Sequence, residues 1–183
     1  MQIKRLDIEG VLLVEPTLHS DDRGSFMESF SERDFEAQTG LKVRFVQDNE
    51  STSHRGVLRG LHFQKGEWAQ AKLVRVVRGR VLDVVVDIRK GSATFGRYVA
   101  VELSGENRRQ LFIPKGFAHG YLVLEENTVF QYKCDEYYHP EAEGGIIWND
   151  PQIGIDWGVG EEDIILSERD KNYGGLATMS AKM

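Results

Sequence analysis

Two histidines, His62 and His119, lie inside apolar runs of strand-like alternation, "GVLRGLHFQ" and "FAHGYLVL". Arg59 shares the first run, and Lys72, Asp83 and Tyr132 stand in "AKLVRVV", "RVLDVVVDI" and "TVFQYKC". Ionisable groups are seldom buried without partners. Several of them pointing into one small β-structure make a polar pocket, which is a candidate functional site. An imidazole of ordinary pKa ~6.5 is substantially neutral near pH 7 and can act as a base, while a phenol of pKa ~10 keeps its proton. Each residue has a plainer structural reading. A histidine can be a satisfied core group, a tyrosine hydroxyl can bond a backbone carbonyl, and a lysine can snorkel from a strand edge. His19, His54 and His139 fall outside strong strand-like runs.

The elements around these residues read as β. Short apolar runs such as "VLLVEP", "VRFVQDN", "RYVAVEL" and "QLFIPKG" are separated by glycine turns. "VVRGRV" reads as a tight hairpin turning at Gly79, and "LSGEN" as another turn. The one good helix signal is "SERDFEAQTG", with Ser31 as cap, Asp34 three residues on and Gly40 as stop. Eight or more short strands with so little helix predict an all-β sandwich or barrel. The tail "IILSERDKNYGGLATMSAKM" is expected to pack first and fray last, because its end is small and polar.

A chain of 183 residues suits a single domain, residues 1–183, with a real hydrophobic core. Its formal net charge of −6 argues against non-specific nucleic-acid binding. Cys134 is the only cysteine, so no internal disulfide is possible and a reducing, cytoplasmic setting fits. No leader-like segment and no run near 18 apolar residues is present, so no membrane association is expected.

"GVLRGLH" (Gly56 to His62) and "PKGFAH" (Pro114, Gly116, His119) resemble the two half-motifs of the cupin superfamily, which implies a double-stranded jelly roll. Metal-binding cupins carry His-x-His in the first motif. Gln64 stands where the second imidazole would be, so a metal-free site is expected, with no cofactor. The segments "DDRGSFMESF", "NESTSHRGVLRGLHFQ", "AQAKLVRVVRGRVLDVVVDIRKGSATFG", "LFIPKGFAHGYLVLEENTVFQYKCDEYYHPEAEGGIIWNDPQIGIDW" and "LSERD" together resemble the dTDP-4-dehydrorhamnose 3,5-epimerase family from about residue 3 to about residue 173. One departure is the loop "KGEWAQAK", where many relatives have a proline. The resemblance implies a jelly roll with one short N-terminal helix and a helical C-terminal tail. It also implies a dTDP-4-keto-6-deoxyhexose substrate and a homodimer whose N-terminal strands reach the partner's pocket.

A ketone acidifies the protons on both neighbouring carbons. Epimerisation removes such a proton on one face and returns one on the other, which needs a base, an opposed acid and a cation near the enolate oxygen. On the resemblance, His62 is the base and Asp170 in "LSERD" orients it, Tyr132 is the acid, and Lys72 holds the enolate oxygen. His119 is a second pocket histidine, and Asp83 is expected to pair with it. Arg59 suits the diphosphate because a guanidinium binds bidentately. Arg23, Phe26, Glu28, Gln47, Asn49, Tyr138 and Glu143 match substrate-contacting positions, with Phe26 and Glu28 on one strand face and Tyr138 available to stack on thymine. Taken singly, Asp170 and most of these binding residues would read as solvated surface.

Strict alternation puts Arg59 and His62 on opposite faces. For both to reach one pocket the period must break, and Gly60 is the expected bulge; the alternative is Arg59 reaching round the strand edge. Two other classes compete with an epimerase: a non-catalytic jelly-roll binding module, opposed by His62, Asp170 and Tyr132, and a metal-dependent oxygenase, opposed by Gln64. An epimerase acting at one carbon is a near relative that these residues do not separate.

Overall fold

The structure, a computed structural model, describes the backbone of residues 1–182 and side chains through Met179; Met183, at the end of the expected tail, lies outside the described residues. Two antiparallel sheets face each other. The first runs β1 (Gln2–Arg5), β2 (Leu12–Glu15), β10 (Gln110–Ile113), β7 (Lys72–Arg78), β12 (Thr128–Cys134), β5 (Gln47–Ser53). The second runs β13 (Glu143–Gly145), β6 (Leu58–Gln64), β11 (Phe117–Val123), β8 (Arg80–Asp87), β9 (Tyr98–Ser104). A separate ribbon pairs β3 (His19–Asp21) with β4 (Gly24–Phe26). This is the expected all-β jelly roll, with helices α1 (Glu32–Thr39), α2 (Glu168–Lys171) and α3 (Leu176–Lys182).

Apolar side chains explain why both sheets are covered twice. Val74, Val76, Leu111 and Phe130 from one sheet meet Val81, Val85, Phe117 and Val123 from the other between the layers. Val84 and Val86, pointing the opposite way along β8, pack under Ile146, Trp148, Trp157 and Leu176 of the C-terminal segment. That is why "VLDVVVDI" is nearly continuous in apolar residues rather than alternating. On the outer face of the first sheet, Phe35 of α1 packs with Leu12, Leu73 and Phe112. Burying such a ring contributes about 1.5–3 kcal/mol. The helix has the expected ends: Ser31 Oγ accepts from Asp34 N at 3.3 Å, and Gly40 closes it in the left-handed region.

Two expectations are corrected. Gly79 does turn the chain, at φ 81°, but β7 and β8 do not pair. Each leaves for a different sheet, so Gly79 is a corner of the sandwich rather than a hairpin. The strand expected in "VRFVQDN" begins only at Gln47; Val43 and Phe45 instead pack beneath α1.

Candidate active site

The polar cavity opens between the two sheets, because one face of each sheet changes from apolar to polar side chains toward one end. From the first sheet come Gln47 and Asn49 on β5, Lys72 on β7 and Tyr132 on β12; from the second come Arg59, His62 and His119. Two adjoining hollows of about 310 and 550 Å³ share Asn49, His62, Lys72, Tyr132 and Arg169.

The break of period in β6 is where it was expected. His62 pairs with His119 and Arg59 with Tyr121, so Gly60 and Leu61 together oppose the single residue Gly120. Leu58, Leu61 and Phe63 therefore turn to the outer apolar cluster, while Arg59 and His62 both face the cavity. Gly60 has φ +140°, and a Cβ there would lie 2.5 Å from Gly120 Cα. Only glycine fits this approach.

His62 Nε2 lies 2.7 Å from Asp170 Oδ1. Burial pushes the Asp170 carboxyl up, but the His62 bond and charge, the Ser167 hydroxyl and the Gly60 backbone outweigh it, and its pKa falls below the usual value. A carboxylate only accepts, so Nε2 carries the hydrogen, and in the neutral ring it is Nδ1 that has the lone pair. Asp170 is held by α2, whose cap Ser167 accepts from Asp170 N at 3.1 Å. His119 Nε2 lies 2.9 Å from Asp83 Oδ2, the expected pair, with both residues buried.

Across the cavity, burial pushes the Tyr132 phenol up to about 12, so it is protonated at any working pH. The Lys72 ammonium sits 5.7 Å from the Tyr132 ring centroid. Burial lowers its pKa, with Cys134, Asp83 and Glu143 pulling it back up. Arg59 donates to Ser53 Oγ at 3.2 Å. At the mouth, Tyr138 and Arg169 both donate to Glu143 Oε2 at 2.8 Å, and Gln47 Oε1 accepts from Tyr138 N at 3.1 Å.

Three expected residues stand elsewhere. Arg23 and Phe26 belong to the β3–β4 ribbon, where Arg23 pairs with Asp21 and Phe26 is 70% exposed. Glu28 is exposed beyond β4, which ends at Phe26, so the two do not share a strand face. Within one chain none of the three lines the cavity.

Arg169 and Tyr121 line the cavity and were missed. Arg169 adjoins Asp170, and Tyr121 lies two residues after His119, so alternation along β11 would have placed it on the same face. Its hydroxyl meets Ser51 Oγ at 2.8 Å, and its ring stacks on Phe130 at 3.9 Å.

Fold and cavity together define a jelly roll of the cupin kind with a polar pocket between its sheets. The family model described as dTDP-4-dehydrorhamnose 3,5-epimerase matches residues 5–178. The epimerase of that name from Methanothermobacter thermautotrophicus is 55% identical over 170 residues, 92% of this chain and 91% of its own. The crystal structure of a dTDP-6-deoxy-D-glucose-3,5-epimerase from Legionella pneumophila Philadelphia 1, in complex with dTDP-4-keto-L-rhamnose, superposes with a TM-score of 0.95 at 50% identity, covering 99% of this chain and 95% of that one. The dTDP-4-dehydrorhamnose 3,5-epimerase of Elizabethkingia anophelis NUHP1 gives 0.94 at 49% identity, covering 97% of each. The chain belongs to the dTDP-4-dehydrorhamnose 3,5-epimerase family.

Proposed function

We propose that this cavity converts dTDP-4-dehydro-6-deoxy-D-glucose to dTDP-4-dehydro-L-rhamnose, with His62 as base and Tyr132 as acid. The observation that carries the reading is their placement on facing sheets, His62 on β6 and Tyr132 on β12, both lining one cavity. A 4-keto sugar held between them loses a proton on one face, and the flat enolate that results is reprotonated on the other.

His62 Nδ1 takes the proton from carbon 3 or carbon 5, and the electron pair moves into the C4 oxygen. Asp170 fixes the tautomer of the neutral ring beforehand and stabilises the imidazolium that results. The Lys72 ammonium holds the developing oxyanion, an effect strengthened in a site with little water. Tyr132 then donates its proton to the opposite face of the same carbon as the enolate collapses. Solvent removes the proton from His62 and returns one to Tyr132, and the second carbon follows. No electron leaves the sugar, so the steps call for no redox cofactor.

Arg59, with Arg169 nearby, suits the diphosphate; Gln47, Asn49, Tyr138 and Glu143 suit the nucleoside; and His119, fixed by Asp83, suits the sugar. A homodimer is part of the proposal. The β3–β4 ribbon stands apart with Phe26 and Leu18 exposed, which supports Arg23, Phe26 and Glu28 serving a neighbouring subunit. No helix among the described residues is long and apolar enough to cross a membrane. We propose a cytoplasmic setting on the nucleotide-sugar substrate and the buried free thiol Cys134.

The test is incubation with dTDP-4-dehydro-6-deoxy-D-glucose and NMR of the product. The wild-type chain should form dTDP-4-dehydro-L-rhamnose and His62→Ala should not; a His62→Ala enzyme of full activity removes the assignment.

A further inference from the structure

Gln64 ends β6, two residues after His62, and is buried. Both polar atoms of its amide are engaged. Nε2 donates to Trp68 O at 2.7 Å and to Tyr137 O at 3.0 Å, and Oε1 accepts from His139 N at 2.7 Å. An amide has two N–H donors, and both go to backbone carbonyls of different loops. Residues 65–71 and 135–142 are thus joined through one side chain.

Other contacts join the same two loops. The Trp68 and His139 rings stack at 3.8 Å, Gln70 Nε2 donates to Glu136 O at 2.8 Å, and Lys65 N donates to Ala142 O at 3.0 Å. The second loop carries Tyr138 and leads directly into Glu143, which faces Gln64 in the β13–β6 pairing. Gln64, Gln70, Tyr138 and Glu143 all line the hollow of about 310 Å³.

We infer that Gln64 is a positioning residue for the nucleotide: its amide holds two loops as one wall, so that Tyr138 and Glu143 meet the ligand already ordered. The inference rests on the reading of this hollow as the nucleoside end of the substrate site. A preordered wall spares the ligand the entropy of ordering the loops, so its loss appears in affinity. The proton-transfer groups His62, Asp170, Lys72 and Tyr132 make no hydrogen bond to Gln64.

The test compares wild type, Gln64→Glu and Trp68→Leu, using calorimetric titration with dTDP alone and then steady-state turnover. Ionised glutamate keeps the shape but cannot donate, so the Trp68 and Tyr137 carbonyls face a carboxylate oxygen. The Kd for dTDP and the KM should rise about 10- to 100-fold, with kcat falling less than about threefold. Trp68→Leu loosens the same wall without orphaning a buried polar atom. It should weaken dTDP about 3- to 10-fold, and it decides the matter if Gln64→Glu does not fold. Wild-type dTDP affinity in the folded variants, or a loss confined to kcat, overturns the inference alone. A wild-type chain that binds no dTDP overturns both it and the reading beneath it.

Discussion

Gly60→Ala tests whether one backbone device aims two side chains, Arg59 and His62, into the cavity. The added Cβ would lie 2.5 Å from Gly120 Cα and 2.9 Å from His119 O, both backbone atoms that cannot swing aside. The residue would also keep φ +140°, where L side chains rarely sit. Strain of that kind costs about 1–3 kcal/mol and forced separation of packed strands about 1–3 kcal/mol more. A total of about 2–6 kcal/mol in a chain of this size lowers Tm by about 5–15 °C. The β6–β11 pairing must open at the bulge, and Arg59 and His62 flank it on either side. Nucleotide affinity and turnover should therefore fall together, each by about tenfold or more. Calorimetry with dTDP, NMR-followed turnover and a thermal melt read the three quantities on one preparation. A variant with the wild-type melt and activity refutes the reasoning. So does one that loses dTDP affinity while turning over saturating substrate at the wild-type rate, because the two side chains would then not share a support.

Tyr132→Phe keeps the ring and removes the proton, so kcat should drop about 10²- to 10⁴-fold with the fold intact; wild-type kcat would assign the acid to another group. Asp87 is buried and, although burial raises its pKa, bonds from Arg89, Ser92 and Thr94 hold it well below the usual carboxylate range. With the folded pKa depressed, its contribution is full above the unfolded value of 3.8 and is lost as pH falls below it. Asp87→Asn should therefore lower the urea midpoint at pH 7 and make it less dependent on pH between 4 and about 2.5, and an unchanged acid limb would contradict this. Cys134 is fully buried, and burial pushes its thiol up to about 11. It should resist iodoacetamide in native protein and react readily in urea; rapid native labelling would contradict its placement.

The parts of the fold written in local periodicity were readable. Ser31 and Gly40 mark both ends of α1, and strand interiors that carry His62, Lys72, His119 and Tyr132 announce a polar cavity. The bulge was readable too, because two residues of opposite parity had to face one pocket across a glycine. Gly79 shows where local signals stop. A left-handed glycine between two strands looks the same in a hairpin and in a corner between sheets, and only the long-range partners, β12 for β7 and β11 for β8, separate them. Asp170 lies 108 residues from His62, so no spacing joins them and only the family resemblance did. The anchoring of Gln64 to three backbone groups depends on how two loops fold back over β6, which neither composition nor period records. The placement of Arg23 and Phe26 on a ribbon outside the cavity likewise depends on how the chain folds after β2.

The central claim is that one histidine removes the proton at both carbons flanking the ketone. Its most direct test is turnover in heavy water, with deuterium read at carbons 3 and 5 by NMR. The account predicts one deuterium at each carbon of the product formed by the wild-type chain, and none at either carbon with His62→Ala. Product formed without solvent deuterium, or exchange that persists at either carbon in His62→Ala, would contradict it.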